Sequence, residues 1–379
     1  MAEYLRHTTL VILLPLLLLL RESLDCKALN RRDGTYDYGN GASSNGVPPR
    51  PAPVVGTRPP GKYLISGVVV AADGTGDYTT ITDAVRAAPS YGEGRFMVHI
   101  KAGVYRENVE VPGEKTNIVF AGDGMKQTVL TSDRSAHGGW KTLQSATLAV
   151  IGNGFVARDM TIENSAGPGA AQAVALRSKS DQSVFYRCAI VGYQDTLFAQ
   201  AGRQFFRECD VYGTIDFIFG RGSVVLQNCN LYAQQPLHGQ EIIFTAQGKQ
   251  DKGDAGGIVI HNCALTAASD LLPVEAAFRV YLGRPWKMYS TTVIMQSYLG
   301  NIIDPAGWLA WNGSFGLDTL LYMEYQNRGP GADTSKRVYW PGLRFPTNPA
   351  EVRNFTVSSF IQGDQWLPPT GVPYTGGLM

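Results

Sequence analysis

Short apolar runs in which polar residues alternate with hydrophobic ones recur through the middle of the chain. Each run contains a polar or cysteine marker, and the markers are Asp159, Cys188, Cys209, Cys229, Cys263 and Ser297. Successive markers lie 20 to 34 residues apart, so a core unit of nearly constant size carries insertions of different lengths. Alternation with a period of two, interrupted by turn residues, indicates strands rather than helices. The pattern therefore predicts a solenoid of short strands.

Coils of about 20 residues made of short strands favour an all-β fold, the parallel β-helix, in which equivalent residues stack about 4.8 Å apart. A leucine-rich-repeat horseshoe is the alternative, but its regular leucine spacing is missing.

One amphipathic helix precedes the repeats. Thr79 or Thr80 is its N-cap and Pro89 ends it. Its apolar face consists of Ile81, Ala84, Val85 and Ala88. We expect this helix to cap the N-terminal end of the solenoid, where an open strand edge would otherwise invite aggregation.

The N-terminal 61 residues differ in character from the rest. The apolar run 10–20 is shorter than the roughly 20 residues that span a bilayer and has the length of a signal-peptide core. We assign 1–26 to a signal peptide, with an uncleaved anchor as the alternative. Residues 27–61 are rich in Asn, Gly, Ser and Pro and are expected to be a flexible linker. Residues 62–379 form one domain.

Composition and charge narrow the possible partners. The chain has 379 residues, 44% of them hydrophobic and 17% charged, and a net charge of +1. Such a balance favours neither nucleic acid nor an anionic membrane as a partner. The sequence has no Cys/His metal cluster, calcium loop or nucleotide-binding fingerprint, so we expect no metal and no cofactor. We expect a monomer.

Four of the cysteines share one phase of the repeat, which predicts that they stack in successive coils. Neighbouring coils would bring their Cα atoms within the ~4.4–6.8 Å that a disulfide needs. Cys209 and Cys229 form the most natural bridge, because the step between them has no room for a long insertion. A ladder of free, buried cysteines is the alternative.

Two carboxylates occupy one phase of the repeat as well. Asp195 lies seven residues after Cys188, and Asp216 lies seven residues after Cys209. The equal offset predicts that both side chains lie side by side on one face. Two carboxylates this close do not ionise together, so one acts as an acid while the other stays charged. The alternatives are ordinary turn or capping residues, or a retaining glycosidase pair.

With these residues in view, the sequence resembles plant pectinesterases (pectin methylesterases). The motifs that carry the resemblance are Gly103–Val109, Gln172–Leu176, Gly192–Leu197, Asp216–Gly220 and Leu282–Trp286, in the order of the family. Similarity extends from Val68 to Leu378. The resemblance implies a right-handed, pectin lyase-like parallel β-helix. It also implies a secreted enzyme that demethylesterifies pectin in the plant cell wall, and a proteinaceous pectinesterase inhibitor as a partner.

The resemblance also implies roles for five residues. Asp216 corresponds to the nucleophile, and Asp195 to the general acid that later acts as a base. Gln172 and Gln194 correspond to amides that donate to the oxyanion. Arg284 corresponds to the residue that keeps Asp216 ionised, from which we expect a lowered pKa for Asp216 and a raised pKa for Asp195.

For substrate binding, the resemblance implies Thr142, Trp286, Gln172 and Arg284. The family also supports the bridge between Cys209 and Cys229. Leu143 departs from the pattern, because an aromatic residue is usual there.

Two glycosylation sequons begin at Asn312 and Asn354. Two rival functions fit the same fold: a polygalacturonase or lyase, which would produce new chain ends, and a non-catalytic wall-binding protein. The retention of both carboxylates argues against the second.

Overall fold

A computed structural model describes residues 66–379, all within the predicted catalytic domain. The predicted signal peptide and the predicted linker lie outside the described residues. The described chain winds through successive coils, and each complete coil contributes one strand segment to each of three parallel ladders.

Ladders 1 and 2 are joined in one sheet of 17 strands, and ladder 3 is a separate sheet of seven strands. Ladder 1 contains β1 (Ser66–Val70), β2 (Phe96–Ile100), β5 (Ile118–Gly122), β12 (Arg203–Arg207), β15 (Ser223–Gln227), β18 (Gly257–His261), β21 (Thr291–Met295), β23 (Leu321–Tyr325) and β24 (Leu343–Arg344). Ladder 2 contains β3 (Gly103–Arg106), β6 (Thr128–Ser132), β13 (Asp210–Gly213), β16 (Asn230–Ala233), β19 (Ala264–Ala267) and β22 (Tyr298–Leu299). Two long strands, β8 (Val156–Asn164) and β10 (Ser183–Val191), cross from ladder 1 to ladder 2. Ladder 3 contains β4 (Val109–Val111), β7 (Leu148–Val150), β9 (Leu176–Ser178), β11 (Leu197–Ala199), β14 (Ile218–Gly220), β17 (Ile242–Gln247) and β20 (Val280–Gly283). The parallel β-helix that the repeat predicted is confirmed.

The markers of the repeat lie next to a bend between ladders 1 and 2. At seven of these bends, from Asp159 onward along the chain, one non-glycine residue adopts a positive φ, between 48° and 56°. These residues are Asp159, Arg187, Glu208, Asn228, Asn262, Gln296 and Gln326. At six of the seven bends the following residue is buried, as Met160 and Cys188 are, whereas Asn327 is half-buried. Met160, rather than Asp159, pairs with Cys188, so the first marker was placed one residue too early.

The structure corrects the predicted disulfide. Cys209 and Cys229 are free, buried thiols in neighbouring coils. The Cys209 amide donates to the Cys229 sulfur at 3.4 Å, and the Cys209 thiol lies 3.2 Å from the carbonyl oxygen of Phe185. Strands in register keep their side chains parallel at about the 4.8 Å strand spacing, wider than the Cβ separation of about 3.8 Å that a disulfide requires. The described cysteines form the alternative ladder of free thiols.

The predicted N-terminal helix is confirmed as α1 (Ile81–Ala87). Thr80 is its N-cap and accepts from the amide of Asp83 at 3.2 Å. Its buried face packs against β1, β2 and β4 and so covers the first coil. The carboxylate of Glu107 accepts from the amides of Ile81 and Thr82 at 2.8 and 3.0 Å. These bonds satisfy amides that a helix start leaves without partners.

Beyond the last strand, residues 349–372 form a C-terminal segment of short helices. Its helices are α2 (Pro349–Val352), α3 (Val357–Phe360) and α4 (Gly363–Trp366), with 3-10 turns at Arg353–Phe355 and Pro368–Thr370. Side chains of this segment pack on the outer side of ladder 1, on a row that includes Val225, Val259 and Val293. Within residues 66–379, no helix is both long and apolar enough to cross a bilayer.

Candidate active site

Ladder 3 places the two aspartates in neighbouring coils. β11 and β14 pair in register, with Leu197 beside Ile218. Asp195 and Asp216 each lie two residues before those strands and therefore occupy equivalent positions, about 4.8 Å apart along the solenoid. Both adopt a left-handed backbone, with φ of 64° and 51°. The amide of Asp195 donates to the carbonyl of Ile215 at 3.0 Å, which holds the two turns together.

Arg284 forms a two-pronged ion pair with Asp216. Its Nε lies 2.8 Å from Oδ1 and its Nη2 lies 2.6 Å from Oδ2. Arg284 directly follows β20, and its own amide is anchored to the carbonyl of Thr245 at 2.9 Å. The guanidinium also stacks over the ring of Trp311, 4.6 Å from its centroid. Arg284 is thus held from three sides, and it is aimed at one carboxylate of the pair.

Burial separates the two carboxylates from water. Asp195 is 9% exposed and Asp216 is 6% exposed. The register places Val174 and Ile243, both buried, at the equivalent positions on either side of the pair. Apolar neighbours above and below remove the solvation that an ionised carboxylate needs.

The two aspartates differ in how far their pKa values move. Burial raises the pKa of Asp195 well above its usual value; the charge of Asp216 raises it further, and Arg284 only partly opposes this. Burial also raises the pKa of Asp216, while the hydrogen bonds and charge of Arg284 lower it. The expectation of a lowered pKa for Asp216 is therefore wrong, because burial outweighs the ion pair. The order of the two is as expected, so Asp195 holds its proton while Asp216 ionises.

Two glutamine amides lie near this pair and are available to a ligand. Gln172 and Gln194 are half-buried. Their backbone carbonyls accept from the amides of Ala136 and Ala173 at 2.9 and 3.1 Å. Neither side-chain amide hydrogen-bonds to another residue between 66 and 379. Their N–H groups can therefore donate to an oxygen that becomes negative during a reaction.

An aromatic floor lies beside the carboxylates on the outer side of ladder 3. Phe198 and Phe219 stack with their centroids 4.4 Å apart, and Trp286 meets Phe219 edge-on at 6.1 Å. Trp286 is half-buried, so part of its ring faces solvent. The sequence predicts that Phe219, which flanks Asp216, lowers the local dielectric, but it was not used to single out Phe198. The signal for Phe198 was present, because it lies three residues after Asp195, just as Phe219 lies three residues after Asp216.

The remaining predicted residues lie near the surface. Thr142 begins a 3-10 turn, Thr142–Gln144, and is half-buried. Leu143 follows it and is 44% exposed. Asn312 and Asn354 are both exposed, as glycosylation requires. Among the described residues, no group of three or more His, Cys, Asp or Glu side chains could hold a metal ion.

Comparisons with known proteins connect this arrangement to one family. The family model described as pectinesterase matches residues 67–364. Pectinesterase 2 of Citrus sinensis is 53% identical over 313 residues, which cover 83% of this chain and 61% of that protein. The chain thus spans about three fifths of the length of this relative.

Solved structures agree with that match. Pectin methylesterase from carrot superposes with a TM-score of 0.82 at 51% identity, covering 84% of this chain and 100% of that chain. A pectin methylesterase solved in complex with a hexasaccharide has a TM-score of 0.66 and 27% identity, covering 84% and 100% of the two chains.

Proposed function

The chain belongs to the pectinesterase family, and from this premise we propose that it hydrolyses the methyl esters of pectin to methanol and free carboxylates. One observation carries the proposal: Asp216 is paired with Arg284, while its neighbour Asp195 has a pKa raised mainly by burial. An ionised nucleophile beside a protonated acid is the combination that ester cleavage requires.

The proposed reaction has two steps. An Asp216 oxygen attacks the ester carbonyl carbon, and the amides of Gln172 and Gln194 donate to the oxyanion. The bond to the methoxy oxygen then breaks, and Asp195 gives its proton to that oxygen, which releases methanol. Water next attacks the acyl–Asp216 anhydride and gives a proton to ionised Asp195. The products are a free uronic acid, which then loses its proton to solvent, regenerated Asp216 carboxylate and protonated Asp195.

We propose that pectin lies over the aromatic floor defined above. Trp286 offers part of its ring to a sugar, and Thr142 lies in a half-buried turn that can contact the polymer. Arg284 contributes positive charge beside the reacting carboxyl. Secretion to the cell wall belongs to the same proposal, since it follows from a pectin-directed activity. Binding of a proteinaceous inhibitor belongs to it as well, since two relatives that are 53% identical are named probable pectinesterase/pectinesterase inhibitor.

The test is methanol release from methylated pectin by the purified protein and two variants, Asp216→Asn and Asp195→Asn. We expect each variant to lose at least about a thousandfold in kcat, because one removes the nucleophile and the other the acid. Asparagine tolerates the left-handed backbone at both positions, so the fold is preserved.

A matched control is Asp181→Asn. Asp181 also forms a two-pronged pair with an arginine, Arg203, at 3.0 and 2.6 Å, but it lies in the turn between β9 and β10. We expect near wild-type rates from it. New chain ends without methanol would point to a polygalacturonase or lyase, and normal rates in both site variants would exclude the proposed mechanism.

A further inference from the structure

A glycosylation sequon lies directly beside the candidate active site. It consists of Asn312, Gly313 and Ser314, and residues 311–314 are all exposed. The amide of Phe315 donates to the carbonyl oxygen of Asn312 at 3.0 Å, and Gly313 has a φ of 52°, so the sequon forms a tight turn. Asn312 and Ser314 are therefore both open to solvent on this turn.

Trp311 connects the turn to the reacting groups. Its ring centroid lies 4.6 Å from the guanidinium carbon of Arg284, which binds Asp216 at 2.6 and 2.8 Å. Trp311 is 38% exposed, so it forms part of the rim of the site. Asn312 is the next residue, and its Cα lies about 3.8 Å from the Cα of Trp311. A group attached to Asn312 therefore begins at this rim.

The second sequon, which runs from Asn354 to Thr356, offers a matched comparison. Asn354 lies in the C-terminal segment, which packs on the outer side of ladder 1. Thr356 is only 2% exposed, and its hydroxyl donates to the carbonyl oxygen of Arg353 at 2.9 Å. Asn354 thus shares the sequence motif of Asn312 but not its position beside Arg284.

We propose that Asn312 carries an N-linked glycan that lies at the rim of the active site and restricts the entry of the pectin polymer. The proposal rests on the proposed function, including secretion, because the oligosaccharide donor is a lipid diphosphate of the secretory pathway. The Nδ2 of Asn312 attacks the anomeric carbon of this donor and gives one proton to a base of the transferring enzyme. A C–N bond forms, the bond from the anomeric carbon to the phosphate oxygen breaks, and the lipid diphosphate leaves.

The effect of such a glycan depends on the length of the substrate. An N-linked glycan is bulky and hydrated, and the exposed ring of Trp311 gives its first sugar an apolar surface on which to pack. A polymer extends beyond the reacting unit in both directions, so part of it lies beside the rim, whereas a trimer extends only a short way. The glycan therefore slows the association of the polymer and leaves the chemical step unchanged.

The first experiment determines whether Asn312 is modified. The full chain and its Ser314→Ala variant are expressed in cells that glycosylate secreted proteins. The peptide that contains residue 312 is then analysed by mass spectrometry before and after enzymatic removal of N-glycans. We expect a glycan in wild type and none in Ser314→Ala, which removes the acceptor motif without altering Asn312. An unmodified Asn312 in wild type would overturn the proposal.

The second experiment measures the kinetics of the same two proteins, made in glycosylating cells and in a bacterial host. On methylated pectin, kcat/KM of the glycosylated wild type should be about threefold below that of Ser314→Ala, through KM rather than kcat. On a methylated galacturonate trimer the two proteins should agree. The two proteins from the bacterial host should agree on both substrates, because neither carries a glycan.

Asn354→Gln from glycosylating cells is the matched control and should behave like wild type. Equal rates on pectin for glycosylated wild type and Ser314→Ala would overturn the role of the glycan. The same holds for an equally large difference on the trimer, for a difference between the two bacterial proteins, and for the same gain in Asn354→Gln. If no form releases methanol, the proposed esterase function is rejected, while mass spectrometry still decides whether Asn312 is modified.

Discussion

At the scale of single residues, two chemically identical side chains acquire different tasks from their surroundings. Asp195 and Asp216 are equally buried in practice, and burial raises the pKa of both. Of the two aspartates, Arg284 forms hydrogen bonds only with Asp216, so its lowering effect on the pKa falls mainly on that carboxyl. One arginine is therefore enough to decide which aspartate ionises first.

This environment predicts that Asp195 lowers the free energy of unfolding when it is ionised. Its pKa is raised on folding, so the stability it contributes is full below about pH 4, the unfolded pKa, and is lost as pH rises through the folded-state pKa. At pH 7, Asp195→Asn should therefore have a higher free energy of unfolding than wild type, by on the order of 1 kcal/mol. Denaturant titrations at pH 3.5 and pH 7 test this. A gain of the same size at both pH values would contradict it.

Arg284 should set the acidic limb of the pH–rate profile. In Arg284→Lys the two-pronged pair is lost. The raising effect of burial on the pKa of Asp216 is then opposed less, and this pKa rises further. The acidic limb of kcat/KM should move to higher pH, because Asp216 must be ionised to attack. Rates measured across pH 4 to 8, the interval in which carboxyl groups of raised pKa titrate, give the answer. A profile that only scales down, without moving, would assign Arg284 to substrate binding alone.

The sequence predicted that the two aspartates lie side by side because each follows its cysteine by the same number of residues. Seven residues after Cys188 and Cys209, the chain has completed the same path and reaches the same face. The direction of the Asp216 shift could not be predicted in this way. It depends on how completely Val174 and Ile243 cover the pair, and burial is a property of neighbouring coils rather than of local sequence.

At the scale of elements, the end of β20 decides where Arg284 lies. Gly283 is the last residue of this strand and packs closely against Thr245 and Trp308. A Cβ there would overlap the hydroxyl oxygen of Thr245 and lie 3.1 Å from the Trp308 ring. The glycine is needed for this close approach, which fixes the position of Arg284, the next residue.

Gly283→Ala should therefore act on catalysis from outside the site. Displacing the strand end moves Arg284 away from Asp216, and we expect kcat/KM to fall tenfold to a hundredfold, since misplacement of about 1 Å costs that much. Pectin assays measure the fall in kcat/KM, and thermal unfolding measures any accompanying change in stability. Gly253→Ala, where a Cβ meets nothing within 4 Å, is the control and should behave like wild type.

Elements with a clear period were predictable and others were not. The helix α1 was predicted with its cap and its buried face because it has a threonine cap, a 3.6-residue apolar pattern and a following proline. The helices α2, α3 and α4 are four residues long, which is too short to show a period. Their place is set by the apolar outer side of ladder 1, which only the assembled solenoid presents.

At the scale of the whole molecule, the C-terminal segment covers a surface that the repeat leaves apolar. Trp366 and Leu367 are buried against it, and the indole N–H donates to the carbonyl of Ile361 at 2.8 Å. Without this cover, a row of valines on the outer side of ladder 1 would face water. The segment thus completes the fold at the outer side of ladder 1.

Trp366→Ala should separate stability from activity. We expect a loss of about 3 kcal/mol in unfolding free energy, the usual cost of removing a buried tryptophan, with kcat/KM unchanged well below the unfolding temperature. Tyr339→Ala removes a fully exposed aromatic ring and should change neither quantity. A matching loss of kcat/KM in the Trp366 variant would show that the segment communicates with ladder 3.

From Asp159 onward, the row of left-handed bends between ladders 1 and 2 fixes the start of each following strand. An insertion in a connecting loop, such as 133–147 or 268–279, lengthens one coil and leaves the next bend in place. Surface loops tolerate such insertions at small entropic cost. Natural variation or engineering can therefore reshape the walls that meet the polymer while the reacting carboxyls stay aligned. Under the proposed function, the choice among pectins and the cleavage of the ester are then separately adjustable properties of this architecture.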